Sequence, residues 1–236
     1  MLQIVLLAEK RSQVLSLAIF DLDNTLLAGD SDYLWGQFLV EQQLVDAQEF
    51  AEANQRFYQQ YQDGTLDIHE YLAFALQILT QHPREQLYAW RRQFVAEKIE
   101  PIILPQAEAL LARHRNEGHT LLIITATNKF VTAPIAERLD VPHLIASEPE
   151  IADNKYTGRI IGSPSFQHGK VTCLTAWLQA HPHELSESYF YSDSHNDLPL
   201  LSQVAYPVAV DPDARLAEHA QQHAWPMISL REAQDE

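Results

Sequence analysis

VLSLAIF, Val14 to Phe20, runs straight into Asp21-Leu22-Asp23-Asn24-Thr25. A short, nearly continuous apolar run of this kind predicts a strand buried on both faces, as in a parallel sheet. The carboxylates that end it stand where ligands bind in an open α/β sheet, at the carboxyl end of a strand. Working outward, similar runs recur at Thr120–Thr125 (TLLIIT), His143–Ala146 (HLIA), Tyr189–Ser192 (YFYS), Tyr206–Val210 (YPVAV) and Pro226–Ser229 (PMIS). Between them lie helical patterns at Pro105–Asn116, Lys129–Leu139, Lys170–Gln179, Asp197–Val204 and Asp213–His223, the first stopped by Gly118. Alternating strands and helices of this length predict a doubly wound α/β domain with a parallel sheet.

Residues 33–100 break the rhythm. They contain no strand-like run but four helical patterns, Tyr33–Leu44, Ala47–Tyr61, Ile68–Thr80 and Arg84–Ile99, punctuated by Asp63-Gly64 and His82-Pro83. Asp67 is expected to cap the third, with Glu70 completing a capping box. An all-helical stretch set directly after the first strand predicts an inserted bundle, 33–100, on a core formed by 1–32 and 101–236.

Composition narrows the function classes. With 16 Lys plus Arg against 32 Asp plus Glu, the formal charge is −16. That argues against a nucleic-acid partner, which requires clustered bases, and against an anionic membrane surface. Cys173 is the single cysteine, so neither an intramolecular disulfide nor a Cys-rich zinc site can form; it is expected on a buried helix face. The seven glycines form no Gly-rich phosphate loop. No run is long enough to span a membrane, and MLQIVLLAEKRSQ has its basic residues after the apolar run, the reverse of a signal peptide. Residues 1–13 are read as a short leader, and the cytoplasm is the expected compartment. His181, His183, His219 and His223 are expected at the surface, and His195 is given no role.

The chemistry-bearing residues stand at strand ends. After the first strand comes Asp21-Leu22-Asp23; after TLLII comes Thr125-Ala126-Thr127-Asn128; after YFYS comes Asp193-Ser194-His195-Asn196-Asp197. Lys170 opens a helix behind Gly169, where a cation opposes the helix dipole and asks for a nearby anion. Taken singly, such residues are commonly caps, turn formers or solvated side chains. Taken together, carboxylates converging on one sheet edge repel one another without a cation. Hard oxygen ligands in an incomplete shell suit Mg²⁺.

DLDNT matches DxDxT, the first motif of the haloacid dehalogenase-like (HAD) superfamily, and the chain resembles that family from Leu17 to Leu230. Thr125 resembles its second motif, Lys170 its third and DSHND, Asp193 to Asp197, its fourth, in the family's order. Thr125 precedes Lys170 by 45 residues and Lys170 precedes Asp193 by 23, spacings similar to those of the phosphoserine-phosphatase-like branch, subfamily IB. The resemblance implies a Rossmann-like core with a helical cap, and a Mg²⁺-dependent phosphomonoester hydrolase. By the same resemblance Asp21 would be the nucleophile and Asp23 the general acid and base. Mg²⁺ would be held by the carboxylates of Asp21 and Asp193 and the Asp23 carbonyl, with Asp197 and Asn196 orienting that shell or touching phosphate. Thr125, the Ala126 N–H and Lys170 would neutralise the phosphoryl oxygens. A response-regulator receiver, a phosphotransferase to an alcohol and a catalytically dead binding protein compete with this reading. The helical insert and the DxDxT spacing argue against the receiver, and the filled catalytic positions against the dead protein.

Two features bear on the substrate, a small phosphorylated metabolite. Asp30 lies nine residues after Asp21, where phosphoserine phosphatases have a Glu that meets the substrate ammonium; it is either such a partner or the N-cap of the first cap helix. Arg56 is the cap arginine best placed to meet a substrate carboxylate, or else a surface residue. The cap carries ten acids and five bases, and it is rich in aromatics: Tyr33, Trp35, Phe38, Phe50, Phe57, Tyr58, Tyr61, Tyr71 and Phe74. LAGDSDYLWG, ITATNKFVTAPIAERL and YSDSHNDLPLL resemble a proteobacterial subgroup that includes histidinol-phosphate phosphatases. That substrate has an amine and an imidazole but no carboxylate, which favours it over phosphoserine in an acidic, aromatic cap. A monomer or a homodimer is expected.

Overall fold

The structure, a computed structural model, describes residues 16–231. The leader and the start of the expected first strand, Val14 and Leu15, lie outside the described residues. The chain runs β1 (Leu17–Phe20), α1 (Ser31–Glu41), α2 (Ala47–Asp63), α3 (Ile68–Gln81), α4 (Arg84–Phe94), α5 (Pro105–Asn116), β2 (Thr120–Asn128) and α6 (Lys129–Arg138). It continues through β3 (His143–Ala152), β4 (Lys155–Ile161), α7 (His168–Ala180), β5 (Tyr189–Ser192), α8 (Leu198–Leu201), β6 (Tyr206–Val210), α9 (Ala214–Gln222) and β7 (Met227–Ile228). The sheet order is β4-β3-β2-β1-β5-β6-β7, parallel throughout except for β4, which pairs antiparallel with β3. β1 lies between β2 and β5, so the chain builds outward on one side and then crosses β1 to build on the other. That reversal is the switch point at which such sheets open a crevice.

Both faces of β1 and β2 are covered, and the side chains divide by alternation. Ala18, Phe20, Leu121 and Ile123 join the apolar layer shared with α5, α6 and the inserted helices. Leu17, Ile19, Leu122 and Ile124 join the layer beneath α7, α8 and α9. The apolar runs are therefore continuous because each strand faces two cores.

The inserted helices are less separate than the sequence implies. Trp35 and Phe38 of α1 belong to the same apolar cluster as Phe20 of β1, and the Trp35 ring meets Phe130 of α6 edge-on at 5.7 Å. The pattern read as one helix to Ile99 is α-helical only to Phe94; Val95–Ile99 widens into a π turn and Glu100–Ile102 tightens into a 3₁₀ turn. The way in and the way out run side by side. Ala28 N–H donates to Ile102 O at 2.8 Å, Leu104 N–H to Leu26 O at 3.3 Å, and Leu27 and Ile103 form an antiparallel bridge.

Several local expectations need correction. β4 was not read from the sequence, and β3 extends past Ala146 to pair with it across Asp153-Asn154, both at positive φ. Those dihedral signs at both turn residues match a type I′ hairpin turn. Asp67 caps α3 by accepting from the backbone of His69 and Glu70, but the Glu70 carboxylate turns to Arg56 instead of closing a capping box. Cys173 is half-buried, its thiol 3.5 Å from Ser163 O, and His183 is half-buried with Nε2 2.9 Å from Thr120 Oγ1. No helix among the described residues is long and apolar enough to cross a membrane.

Candidate active site

β1 delivers Asp21 to the crevice, its N–H bonded to Tyr191 O of β5 at 2.9 Å. The chain then turns tightly, with Leu26 and Leu27 N–H both donating back to Leu22 O and Asn24 at positive φ. This turn carries Thr25 beneath Asp193: the Thr25 hydroxyl donates to Asp193 Oδ1 at 3.2 Å and accepts from Asp193 N–H at 3.1 Å. From α7, Lys170 Nζ reaches Asp21 Oδ1 at 2.7 Å and Asp197 Oδ2 at 2.8 Å, and Ser192 Oγ donates to the same Asp197 oxygen at 2.7 Å. The close pass that aims Lys170 depends on Gly169, since a Cβ there would lie 2.0 Å from Pro164 O.

Electrostatics follow from this enclosure. Burial pushes the Asp21 carboxyl up to about 7, against the lowering pull of Lys170, and Asp197 adds to the rise. Asp193 is raised well above the usual carboxylate range by burial and then by Asp21 and Asp197. Burial opposes charge on Lys170, yet Asp197 and Asp21 hold its ammonium above the ordinary lysine value. One lysine thus faces three carboxylates, leaving uncompensated negative charge at the sheet edge. The Asp21 and Asp193 carboxylates are hard, mutually repelling oxygen donors, and such a set fits a divalent ion that keeps waters of its own.

Asp23 is held by different donors. Its Oδ1 accepts from Ser31 N–H at 2.7 Å and its Oδ2 from the Thr127 hydroxyl at 2.8 Å, with the Thr125 hydroxyl more distant at 3.5 Å. Burial raises Asp23 to about 6, and the neighbouring Asp30 contributes next. A carboxyl poised near neutrality is suited to giving and taking a proton.

The inserted helices roof this floor. The cavity is lined by Asp21, Asp23, Thr125, Ala126, Thr127, Lys170, Asn196 and Asp197 below, and by Asp30, Asp32, Tyr33, Asn54, Phe57, Tyr58, Tyr61 and Tyr71 at the sides and above. Asp30 is the N-cap of α1, accepting from Asp32 and Tyr33 N–H at 2.9 Å each, and it also lines the cavity. Burial raises it to about 6. Arg56 does not line the cavity. It projects from the outer face of α2, its side chain 55% exposed, paired with Glu70 at 3.1 Å and lying over the Phe57 ring. Asn196 and Asp197 line the cavity floor and are each held by protein partners. The Asn196 amide accepts from Gln167 at 2.9 Å and donates to Tyr61 O at 3.2 Å, linking floor to roof, and Asp197 serves Lys170. His195 is tied to Asp213 at 2.8 Å.

Among the lining residues to which sequence reasoning gave no role are Thr127 and Asp32, and Tyr71 was named only among the cap aromatics. Thr127 lies two residues after Thr125 on the same strand, and period-two alternation would have put both hydroxyls on one side. Asp32 and Tyr71 are 39 residues apart, and the tyrosine hydroxyl donates to Asp32 Oδ2 in a short hydrogen bond. Burial raises Asp32 to about 7. Of the nine cap aromatics, five line the cavity, whereas Trp35, Phe38, Phe50 and Phe74 pack in apolar clusters.

Comparison with known proteins agrees with this geometry. The family model for haloacid dehalogenase-like hydrolases matches residues 18–202. The chain is 43% identical over 220 residues to a histidinol-phosphatase of Neisseria meningitidis serogroup C (strain 8013), covering 92% of this chain and 99% of that protein. It is 30% identical to phosphoserine phosphatase SerB1 of Mycobacterium tuberculosis (strain ATCC 25618 / H37Rv) over 91% of this chain and 70% of that one. A crystal structure of a protein of unknown function from Bordetella pertussis Tohama I superposes with a TM-score of 0.87 at 42% identity, covering 92% of this chain and all of that one. A substrate-bound phosphoserine phosphatase shares the fold, with a TM-score of 0.68 at 16% identity over 92% of this chain and 93% of that one. The carboxylates at the end of β1, the buried lysine behind them and the match over 18–202 have one common account: the chain belongs to the haloacid dehalogenase-like hydrolases.

Proposed function

We propose that this enzyme is a phosphatase that hydrolyses histidinol phosphate through a phosphoaspartate on Asp21. What carries the substrate reading is the cavity wall. Away from Lys170 it presents Asp30, Asp32 and four tyrosines, and Lys170 is the only basic residue among its described lining residues. A substrate whose non-phosphate end is cationic and lacks a carboxylate suits such a wall. Arg56, the residue that a phosphoserine carboxylate would need, is turned away and paired with Glu70. The relationship to the Neisseria protein, at 43% identity, supports the same substrate.

The chemistry derives from the residues at the crevice. Lys170 holds the Asp21 carboxylate in place and favours its charged form. An Asp21 oxygen attacks phosphorus, the bond from phosphorus to the ester oxygen breaks, and the departing oxygen takes the proton of Asp23. Asp23, now ionised and held by Ser31 and Thr127, removes a proton from water. That water attacks the phosphoaspartate, releasing phosphate and regenerating Asp21. The Thr125 hydroxyl, the Ala126 N–H and Lys170 offer positive charge to the phosphoryl oxygens. Asp21, Asp193 and the Asp23 carbonyl would hold Mg²⁺, which when bound supplies charge neutralisation to the transferring group.

A substrate panel with Mg²⁺ tests this. Histidinol phosphate should have the highest kcat/KM, chelation should abolish turnover, and Asp21→Asn should be inactive. Faster turnover of phosphoserine would overturn the substrate assignment, and an active Asp21→Asn would overturn the nucleophile.

A further inference from the structure

On the opposite edge of the sheet, at the start of β2, His114, Glu117 and His119 bring two imidazoles and a carboxylate together, with one ligand atom of each within 4.8 Å of the others. The backbone arranges them. α5 ends in a Schellman turn, in which His119 N–H donates to His114 O at 3.0 Å and Gly118 N–H to Arg115 O at 3.1 Å, with Gly118 at φ +80°. The turn folds His119 back against His114, and Glu117 stands between them at the helix end.

The spacing is close to that of a tetrahedral ion. The two Nδ1 atoms are 2.7 Å apart, and a Glu117 oxygen is 3.9 Å from His114 Nδ1 and 3.7 Å from His119 Nδ1. Ligand atoms sharing one Zn²⁺ at ordinary bond lengths are about 3.3 Å apart, so each separation lies within roughly 0.6 Å of what an ion needs. The 2.7 Å contact between two ring nitrogens requires one proton between them, and a cation could take its place once that proton moves to the outer nitrogen of the same ring. His114 is 1% exposed, so its ring is enclosed and has little room to turn away. Its Nε2 is 2.8 Å from the Tyr191 hydroxyl, the outer hydrogen bond that fixes a ligating imidazole. Arg113 also donates to Tyr191, at 3.4 Å, so a cation lies near the site, and the Glu117 carboxylate offsets its charge. The half-exposed Glu117 leaves the cluster open to solvent.

We propose that His114, Glu117 and His119 form a transition-metal site of the Zn²⁺ class, with a water in the fourth position, clamping the end of α5 to the start of β2. Two imidazoles and one carboxylate favour such an ion over Mg²⁺, which seeks oxygen ligands. The site is independent of the phosphatase reading and lies on the other edge of the sheet from Asp21.

Co²⁺ titration of the whole protein, with millimolar Mg²⁺ occupying the carboxylate site, is the test. One equivalent should give the intense visible absorption of four-coordinate cobalt and raise the melting temperature. His119→Ala should lose both responses and keep phosphatase activity, while Asp193→Asn should retain the cobalt spectrum. If His119→Ala does not fold, Glu117→Gln supplies the comparison, with affinity lower by about tenfold or more. A weak octahedral spectrum, or one unchanged in the variant that folds, would mean a hydrogen-bonded histidine pair only and would overturn the proposal.

Discussion

Replacing Thr127 by Val removes one of the two close donors to Asp23 while keeping the shape of a side chain that is only 6% exposed. The lost bond is 2.8 Å long, and the remaining Thr125 contact, at 3.5 Å, is too long to replace it. A hydrogen bond to a charged group is worth about 1.5–3 kcal/mol. Protonated Asp23 would keep part of it, so the difference between the two protonation states is about 1.4 kcal/mol, or roughly one pKa unit. The Thr127 bond favours the ionised form, so its loss moves Asp23 upward from about 6. Because Asp23 must be protonated to expel an alkoxide, the alkaline limb of kcat/KM should move to higher pH by about one unit. The loosened carboxyl should also lower kcat for alkyl phosphates by about tenfold, a part of the roughly hundredfold or more that acid–base assistance supplies. An aryl phosphate, whose leaving group needs no proton, should escape most of that loss in the phosphorylation step. Parallel pH–rate profiles with histidinol phosphate and an aryl phosphate provide the assay. An unmoved alkaline limb, or an equal penalty on both esters, would refute the role given to Thr127.

Three further outcomes follow from the cavity and its supports. Asp32→Asn should raise KM for histidinol phosphate with little change in KM for an aryl phosphate. It should also stabilise the protein at pH 8: folded Asp32 is raised to about 7 against about 4 when unfolded, so its contribution to stability is full below pH 4 and is lost as pH rises through 7. The gain, on the order of a few kcal/mol at most, should vanish at pH 4 in denaturant titrations; a gain unchanged with pH would contradict it. Arg56→Ala should cost about 1 kcal/mol and leave every KM unaltered, because it breaks an exposed ion pair and a contact with the outer side of the Phe57 ring; a selective rise in KM for phosphoserine would return Arg56 to the binding site. Gly169→Ala should destabilise by about 1–3 kcal/mol or more and lower kcat by displacing Lys170 from Asp21, and a fully active, equally stable variant would show that the 2.0 Å approach to Pro164 relaxes freely.

The parts of the molecule that the sequence revealed are those where one physical demand dominates. YFYS and YPVAV matched β5 and β6 residue for residue because a strand covered on both faces must be apolar throughout. β4 escaped because an edge strand is half exposed and its sequence, KYTGRII, mixes polar and apolar residues. Its turn residues, Asp153-Asn154, were the available clue. Asp21, Lys170 and Asp193 were legible because strand ends and a helix start fix where they point. Asp32 and Tyr71 were not, since their pairing depends on how α1 and α3 pack, which no local pattern encodes. Arg56 failed for the converse reason: a helix has an inner and an outer face, and Asn54 and Phe57 took the inner one.

The paired strands at Leu27 and Ile103 make the inserted helices interchangeable in principle. To the rest of the chain, everything between them is a loop whose ends are already hydrogen-bonded together, and closure entropy rises only slowly with loop length. The residues to which the proposed mechanism gives the chemistry (Asp21, Asp23, Lys170, Asp193) lie outside that loop, while Asp30, Asp32, Tyr58, Tyr61 and Tyr71 lie inside it. A new recognition surface could therefore be grafted while these side chains stay in place, provided the Ser31 N–H that holds Asp23 is kept. The graft is constrained by packing: Trp35 and Phe38 of α1, Leu76 and Leu79 of α3, and Leu87 and Phe94 of α4 share one apolar cluster with Phe20 and Ile123, so a donor segment must present matching apolar faces to the sheet.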